Sequence, residues 1–131
     1  MNETNKTPAV VRIFADGERY AVRATLRERN GFCELSYADP GMDGTPTRLR
    51  FDAKSLMLAR DGAYQTEMRF ASGESSSTTD QTPYGALNLT VATERLTVTE
   101  TGSGWQIDLA YTVGFADGGK EAHEMSILIT A

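Results

Sequence analysis

A chain of 131 residues, 40% hydrophobic and 24% charged, has the size and composition of one folded domain, and at this length roughly two thirds of the unfolded surface is buried without covalent staples. Thirteen basic against 18 acidic residues leave a net charge of −5, which weighs against a protein built to grip a phosphate backbone, although Arg12, Arg19, Arg23, Arg27, Arg29, Arg48 and Arg50 crowd the first half. The lone Cys33 excludes an intrachain disulfide, one cysteine with one histidine excludes a zinc tetrad, and no apolar run approaches the ~20 residues that span a bilayer.

Residues 1–8, Met-Asn-Glu-Thr-Asn-Lys-Thr-Pro, lack the basic-then-apolar layout of a signal peptide. The expectation is a cytoplasmic protein with a flexible tail over 1–8 and a single domain over 9–131. Without a secretion signal, the Asn-x-Thr triplets at Asn2, Asn5 and Asn88 carry no weight as glycosylation sites.

Along the chain, turn signals separate runs that alternate with period two. Asp16-Gly17 is the first hairpin corner, since both residue types accept positive φ at little cost. After it, Tyr20, Val22, Ala24 and Leu26 oppose Arg19, Arg23, Thr25 and Arg27. Asn30-Gly31 precedes Cys33, Leu35, Tyr37 and Asp39, which share one parity, and residues 39–44 read as a connection. Leu56, Leu58 and Arg60 form the next face, ended by Asp61-Gly62. Tyr64, Thr66, Met68 and Phe70 then alternate with Gln65, Glu67 and Arg69, before a turn over 71–74. In Thr82-Pro-Tyr-Gly85, Pro83 biases Thr82 toward extended backbone and Gly85 admits a conformation closed to side chains. That places Tyr84 at a corner, its ring covering one end of the core. Leu87, Leu89 and Val91 follow in alternation. Beyond Gly102-Ser-Gly104, Trp105, Ile107, Leu109, Tyr111, Val113 and Phe115 share a face. Asp117-Gly118-Gly119 introduces the last run, in which His123 shares parity with Met125, Ile127 and Ile129. Met57, Met68 and Met125 read as core fillers.

No stretch carries a helical period, so the chain is predicted to be all-β and antiparallel, with one apolar and one wet face. About eight to ten strands cannot stay one open sheet, because twist accumulates and edges invite aggregation. A two-sheet sandwich and a closed barrel are the solutions, and successive short hairpins favour an up-and-down barrel.

Taken in order, Leu35-Ser-Tyr37, Arg60-Asp-Gly62, Phe70, Thr82-Pro-Tyr-Gly85 and Trp105-Gln-Ile-Asp-Leu-Ala-Tyr111 resemble the YwiB-like proteins, a bacterial family of unknown function placed with the calycin, lipocalin-like barrels. The resemblance runs over roughly residues 10–130 and rests on the ordered set rather than on any single motif. It implies a small closed barrel in the bacterial cytosol without an established activity. The family carries a glutamate where this chain has Asp39, and often an aromatic near Asp80, so that corner is more polar here.

Chemistry is sparse. Residues 39–50 mimic a calcium loop with Asp39, Asp43 and Gly44 in place, but Arg50 occupies the position of the closing glutamate. Gly102-Ser-Gly104 lacks the third glycine of a dinucleotide fingerprint. A Cys33–His123 pair has the parity for nucleophilic chemistry, against the simpler reading of two inward residues at strand ends. Glu121 and Glu124 read as solvated charges. Arg60 is the most informative residue, because an apolar face that ends in a guanidinium must supply it with a partner or with solvent. Asp39 is the candidate partner, with hydroxyls from Tyr64, Tyr84 and Tyr111. Arg60 is then either an internal tether with Asp39 or an anchor for the carboxylate or phosphate of an amphipathic ligand.

The functional expectation is a non-enzymatic binding protein for a small apolar or amphipathic ligand inside the barrel. Its candidate binding residues are Arg60, Tyr37, Asp39, Tyr64, Tyr84, Tyr111 and His123, with no metal, no cofactor and no membrane partner. Nucleic acid is disfavoured by net charge, and a homodimer stays open. The alternative is a barrel packed solid that acts through its surface, with Arg19, Arg23 and Arg27 as an interaction face, RNA included.

Overall fold

Period-two alternation dictates which side chains face in, and the turn residues dictate where the chain reverses. In the computed structural model, which describes residues 5–131, these two rules produce ten strands. They are β1 (Asn5–Ala15), β2 (Glu18–Arg29), β3 (Phe32–Asp39), β4 (Thr45–Phe51), β5 (Leu56–Asp61), β6 (Gln65–Phe70), β7 (Ser75–Thr82), β8 (Gly85–Thr101), β9 (Gly104–Phe115) and β10 (Lys120–Thr130). A 3-10 turn at Pro40–Met42 joins β3 to β4. Each strand pairs antiparallel with its neighbours in sequence, and β1 pairs with β10 to close an up-and-down barrel. The β1–β2 corner shows why aspartate and glycine stand there: Asp16 and Gly17 have φ of 50° and 86°, the left-handed pair that matches strand twist.

The interior is layered. Across β3 to β6, paired residues form the row Cys33, Phe51, Leu56, Phe70, then Leu35, Leu49, Leu58, Met68, then Tyr37, Thr47, Arg60, Thr66. The barrel thus passes from an apolar end, through a leucine belt, to a polar end. Leu35 and Leu49 are fully buried, as are Val11, Val91, Ile107 and Ile129 from the opposite wall. Burial of each such side chain contributes about 1.5–3 kcal/mol.

Three local features depart from simple alternation. The strand β8 runs for 17 residues, longer than any alternating run in the sequence, because a register shift between Thr93 and Arg95 lets it bend and continue. The inward set changes parity there, from Leu89, Val91 and Thr93 to Leu96 and Val98. The seam between β6 and β7 carries one backbone pair, Gln65 with Gln81. Beside it, the hydroxyls of Ser76 and Thr78 donate to the carbonyls of Arg69 (3.4 Å) and Glu67 (2.6 Å). The β7–β8 hairpin also projects past the rim, since β8 pairs with β9 only from Leu89 onward.

The expected tail over 1–8 is corrected in its second half. Residues from Asn5 pair with β2, starting at Asn5 opposite Glu28, while residues 1–4 lie outside the described residues. The strand was illegible there because backbone pairing needs no apolar side chains. Pro8 is tolerated because β10 reaches β1 only from Val10, so its missing N–H deprives no partner. Met57 is likewise corrected: it is not a core filler but faces outward between Arg50 and Arg69.

Candidate functional site: the polar end of the barrel

The β3–β4 connection builds the site's anchor. Asp39 ends β3, caps the following 3-10 turn and turns its carboxylate inward, 3% exposed. Its Oδ1 accepts from the Gly41 amide (2.9 Å) and from the Tyr20 hydroxyl (3.0 Å). Its Oδ2 lies 3.7 Å from a terminal nitrogen of Arg60. The expected Arg60–Asp39 pair is therefore present, as an ion pair longer than a hydrogen bond. Asp39 is well satisfied and Arg60 is not. The Arg60 side chain is 16% exposed, its Nε is buried without a partner, and among the described residues no protein acceptor stands in hydrogen-bond geometry to it. Thr66 Oγ1, Thr93 Oγ1 and Asp80 Oδ1 are also buried without partners, and Thr66 pairs directly opposite Arg60.

Three phenols respond to this setting. Burial, with the neighbouring Asp39 charge and hydrogen bond, pushes Tyr20 up to about 12. Burial and then the charge of Asp39 push Tyr37 above the usual tyrosine range, while Arg60 pulls the other way. Tyr111 is raised chiefly by burial, again opposed by Arg60. Arg60 thus acts electrostatically on all three rings, and all three are neutral hydroxyls at physiological pH.

A second cluster adjoins them. Tyr111 packs between Phe70 (ring centroids 4.9 Å) and His123, which stacks on it at 5.2 Å and 25°. His123 Nδ1 lies 2.7 Å from Asp16 Oδ2, and Nε2 lies 3.4 Å from Glu121. The Asp16 amide donates to the Glu124 carbonyl, and the Glu124 amide donates back to Asp16 Oδ1, both at 3.2 Å. This clasp ties the β1–β2 corner to β10. Partial burial works to raise the Asp16 carboxyl, but hydrogen bonds from His123 and the Glu124 amide outweigh it and hold it below the ordinary value.

Of the residues selected from sequence, the polar end gathers Arg60, Asp39, Tyr37, Tyr111 and His123, with Tyr64 half-buried in the β5–β6 turn of the same end. Tyr84 is a correction. It is 94% exposed at the tip of the projecting hairpin, where no core lies beneath it. Gly85 does adopt φ of 122°, and the Thr82 hydroxyl accepts from the Tyr84 amide (3.1 Å), so the corner is built as expected but aims its ring outward. Cys33 lies at the apolar end, its thiol raised by burial and by Glu28 and Glu100, so antiparallel order sets it at the end away from His123 and no Cys–His pair forms. Tyr20, Asp16 and Thr66 were missed, although Tyr20 and Thr66 had inward parity.

Clefts of about 530 and 520 Å³ lie outside the barrel, one along β4–β7 at the apolar end and one over β10, β1 and β2. The leucine belt fills the middle of the barrel, and Tyr37, Asp39, Thr47 and Thr66 at the polar end are themselves buried.

No curated protein matches the chain. Among solved structures it is similar to the ywiB protein from Bacillus subtilis, at a TM-score of 0.80 and 18% identity, over 98% of this chain and 94% of that one. At that identity the likeness shows the shared fold. The family model for the domain of unknown function DUF1934 matches residues 16–127, which run from the β1–β2 corner into β10 and take in all of β2 to β9, and the chain belongs to that family.

Proposed function

We propose that this barrel is a non-enzymatic binding protein that holds a small amphipathic molecule at its polar end. The observation that carries this reading is Arg60: a mostly buried guanidinium whose Nε is buried without a partner and whose N–H donors meet no acceptor in hydrogen-bond geometry among the described residues. Buried donors of this kind are ordinarily matched, and a ligand head bearing acceptor oxygens would complete the set. The His123 ring, 26% exposed and stacked on Tyr111, offers the apolar body a surface. Because the leucine belt closes the barrel below, the ligand rests on the floor of the polar end instead of entering a long cavity.

The experiment is native mass spectrometry of gently purified protein, compared with the denatured mass. An extra mass that is lost on denaturation, and is absent from Arg60→Gln, supports the reading. A reproducible adduct retained by Arg60→Gln, or wild-type protein that stays free of ligand when offered small carboxylates and phosphates, refutes it. The second reading, a solid barrel acting through its surface, is favoured by the fully buried Leu35, Leu49, Ile107 and Ile129.

A further inference from the structure

The outer wall over β10, β1 and β2 differs from the rest of the surface. Three of the five exposed large hydrophobic residues among those described stand there: Val10 (36% exposed), Phe14 (46%) and Leu128 (38%). Between them rise Arg12, Arg19 and Arg23, none of which is paired to a carboxylate among the described residues. Elsewhere Arg27, Arg29 and Arg50 converge on the buried Glu34, Arg60 faces Asp39 and Arg69 pairs with Glu67. Outside this wall only Arg48 and Arg95 stand unpaired among the described residues. Register fixes the pattern. Arg12 lies between Leu128 and Ala21, Phe14 lies opposite Arg19, and Val10 lies opposite Arg23. Small side chains at Ala21 and Ser126 leave a cleft of about 520 Å³ beside Arg12, Arg19 and Phe14.

From this face we infer a docking surface for single-stranded nucleic acid. Arg19 and Arg23 stand four residues apart on the outward side of β2, about 13 Å, and Arg12 fills the gap roughly 8 Å from each of them. Guanidinium groups stepped along the outer wall of a barrel can follow a phosphate backbone, and an exposed aromatic among them can stack a base. The Arg19 guanidinium already lies over the Phe14 ring, 5.4 Å from its centroid, so the ring is presented to a planar cationic group in the absence of a base. A second copy of this chain is the poorer occupant. A two-fold contact through this face brings together six arginines, none of which is paired to a carboxylate among the described residues. An acidic protein would neutralise the arginines but has no equal use for a stacking ring. The net charge of −5 is not the objection it first seems. Residues 71–131 carry 8 acidic and 2 basic residues, whereas 5–70 carry 9 acidic and 11 basic, so the acidic excess lies outside β1 and β2, and the carboxylates that β10 adds, Glu121 and Glu124, stand at its polar end beside His123 and Asp16.

The test is fluorescence anisotropy with labelled oligouridylate and oligothymidylate of about twelve nucleotides, a length within the range of small single-strand sites. Binding should weaken with salt with a slope of log K on log [salt] of about −2, from three phosphates at about −0.7 each. Arg12→Gln, Arg19→Gln and Arg23→Gln together should abolish binding, while Arg95→Gln and Lys120→Gln on the acidic half leave it intact. Phe14→Ala should weaken it about tenfold. These are exposed positions, and an unchanged circular dichroism melt of each variant confirms the barrel. Preference for oligouridylate over oligothymidylate assigns RNA, and the reverse assigns DNA. The inference is overturned if neither oligonucleotide binds at low salt, if the triple variant binds as well as wild type, or if poly-glutamate competes as effectively as the oligonucleotide. Arg60→Gln separates this surface from the polar end, because it should leave oligonucleotide binding unchanged.

Discussion

Asp39→Ala tests the electrostatics of the polar end directly. The substitution removes acceptors for the Tyr20 hydroxyl and the Gly41 amide and deprives the Arg60 guanidinium, 16% exposed, of the counter-charge it faces. Breaking a buried pair by deleting one partner costs about 3–5 kcal/mol. The 3.7 Å separation and the residual solvent contact of Arg60 place this case at the low end, near 3 kcal/mol. With a urea m-value of about 1.5–2 kcal/mol/M, within the range for small domains, the midpoint should fall by about 1.5–2 M at unchanged slope. Asp39→Asn keeps an acceptor for Gly41 and Tyr20 and loses only the charge, so it should cost about half as much. In the double variant Asp39→Ala/Arg60→Met the orphaned charge is gone, and about 1–2 kcal/mol should return as a coupling energy. A loss below 1 kcal/mol for Asp39→Ala, or strict additivity in the double variant, would falsify the idea that the two charges are energetically joined.

Other consequences follow from the same geometry. Tyr20 ionises near 12 in the folded state against 10 unfolded, so its contribution to stability is fully present below pH 10 and is lost as pH rises from 10 toward 12. Ultraviolet titration should show this late phenol, and Asp39→Asn should bring it down; a Tyr20 that titrates near 10 in wild type refutes the assignment. Leu49→Ala, fully buried in the leucine belt, should cost about 3–5 kcal/mol by chemical denaturation, and a value under 1.5 would mean the belt is loosely packed. Thr78→Val deletes the hydroxyl that donates to the Glu67 carbonyl and should cost about 1 kcal/mol, with hydrogen exchange accelerated first along β6 and β7. Uniform exchange around the barrel would show that this seam is no weaker than the rest.

Much of the architecture was legible because strand alternation is a local property. Leu35, Tyr37 and Asp39 face inward as their parity required, and so do Leu56, Leu58 and Arg60. The pairing of Arg60 with Asp39 was also legible, since a guanidinium at the end of an apolar face needs a counter-charge and one inward carboxylate stood on a nearby strand. Tyr84 was not. Its corner chemistry was read correctly, but whether core lies beneath that corner depends on where β9 stops pairing with β8. The bulge at Thr93 and Arg95 was hidden for a similar reason: a parity change inside one run looks like two separate strands until a continuous partner is seen.

The amino-acid order by itself determined the class of structure, the positions of the reversals and the inward face of most strands, because each depends on backbone preferences and burial within a few residues. Tertiary structure decided what depends on contacts between distant segments. It closed β1 onto β10, brought Asp16 to His123 and Tyr20 to Asp39, left the Arg60 Nε buried without a partner among the described residues, and spread Arg12, Arg19 and Arg23 with Phe14 over one wall. Closure sets which side chains share a layer, and parity within a single strand carries no record of the stagger between strands that closure imposes.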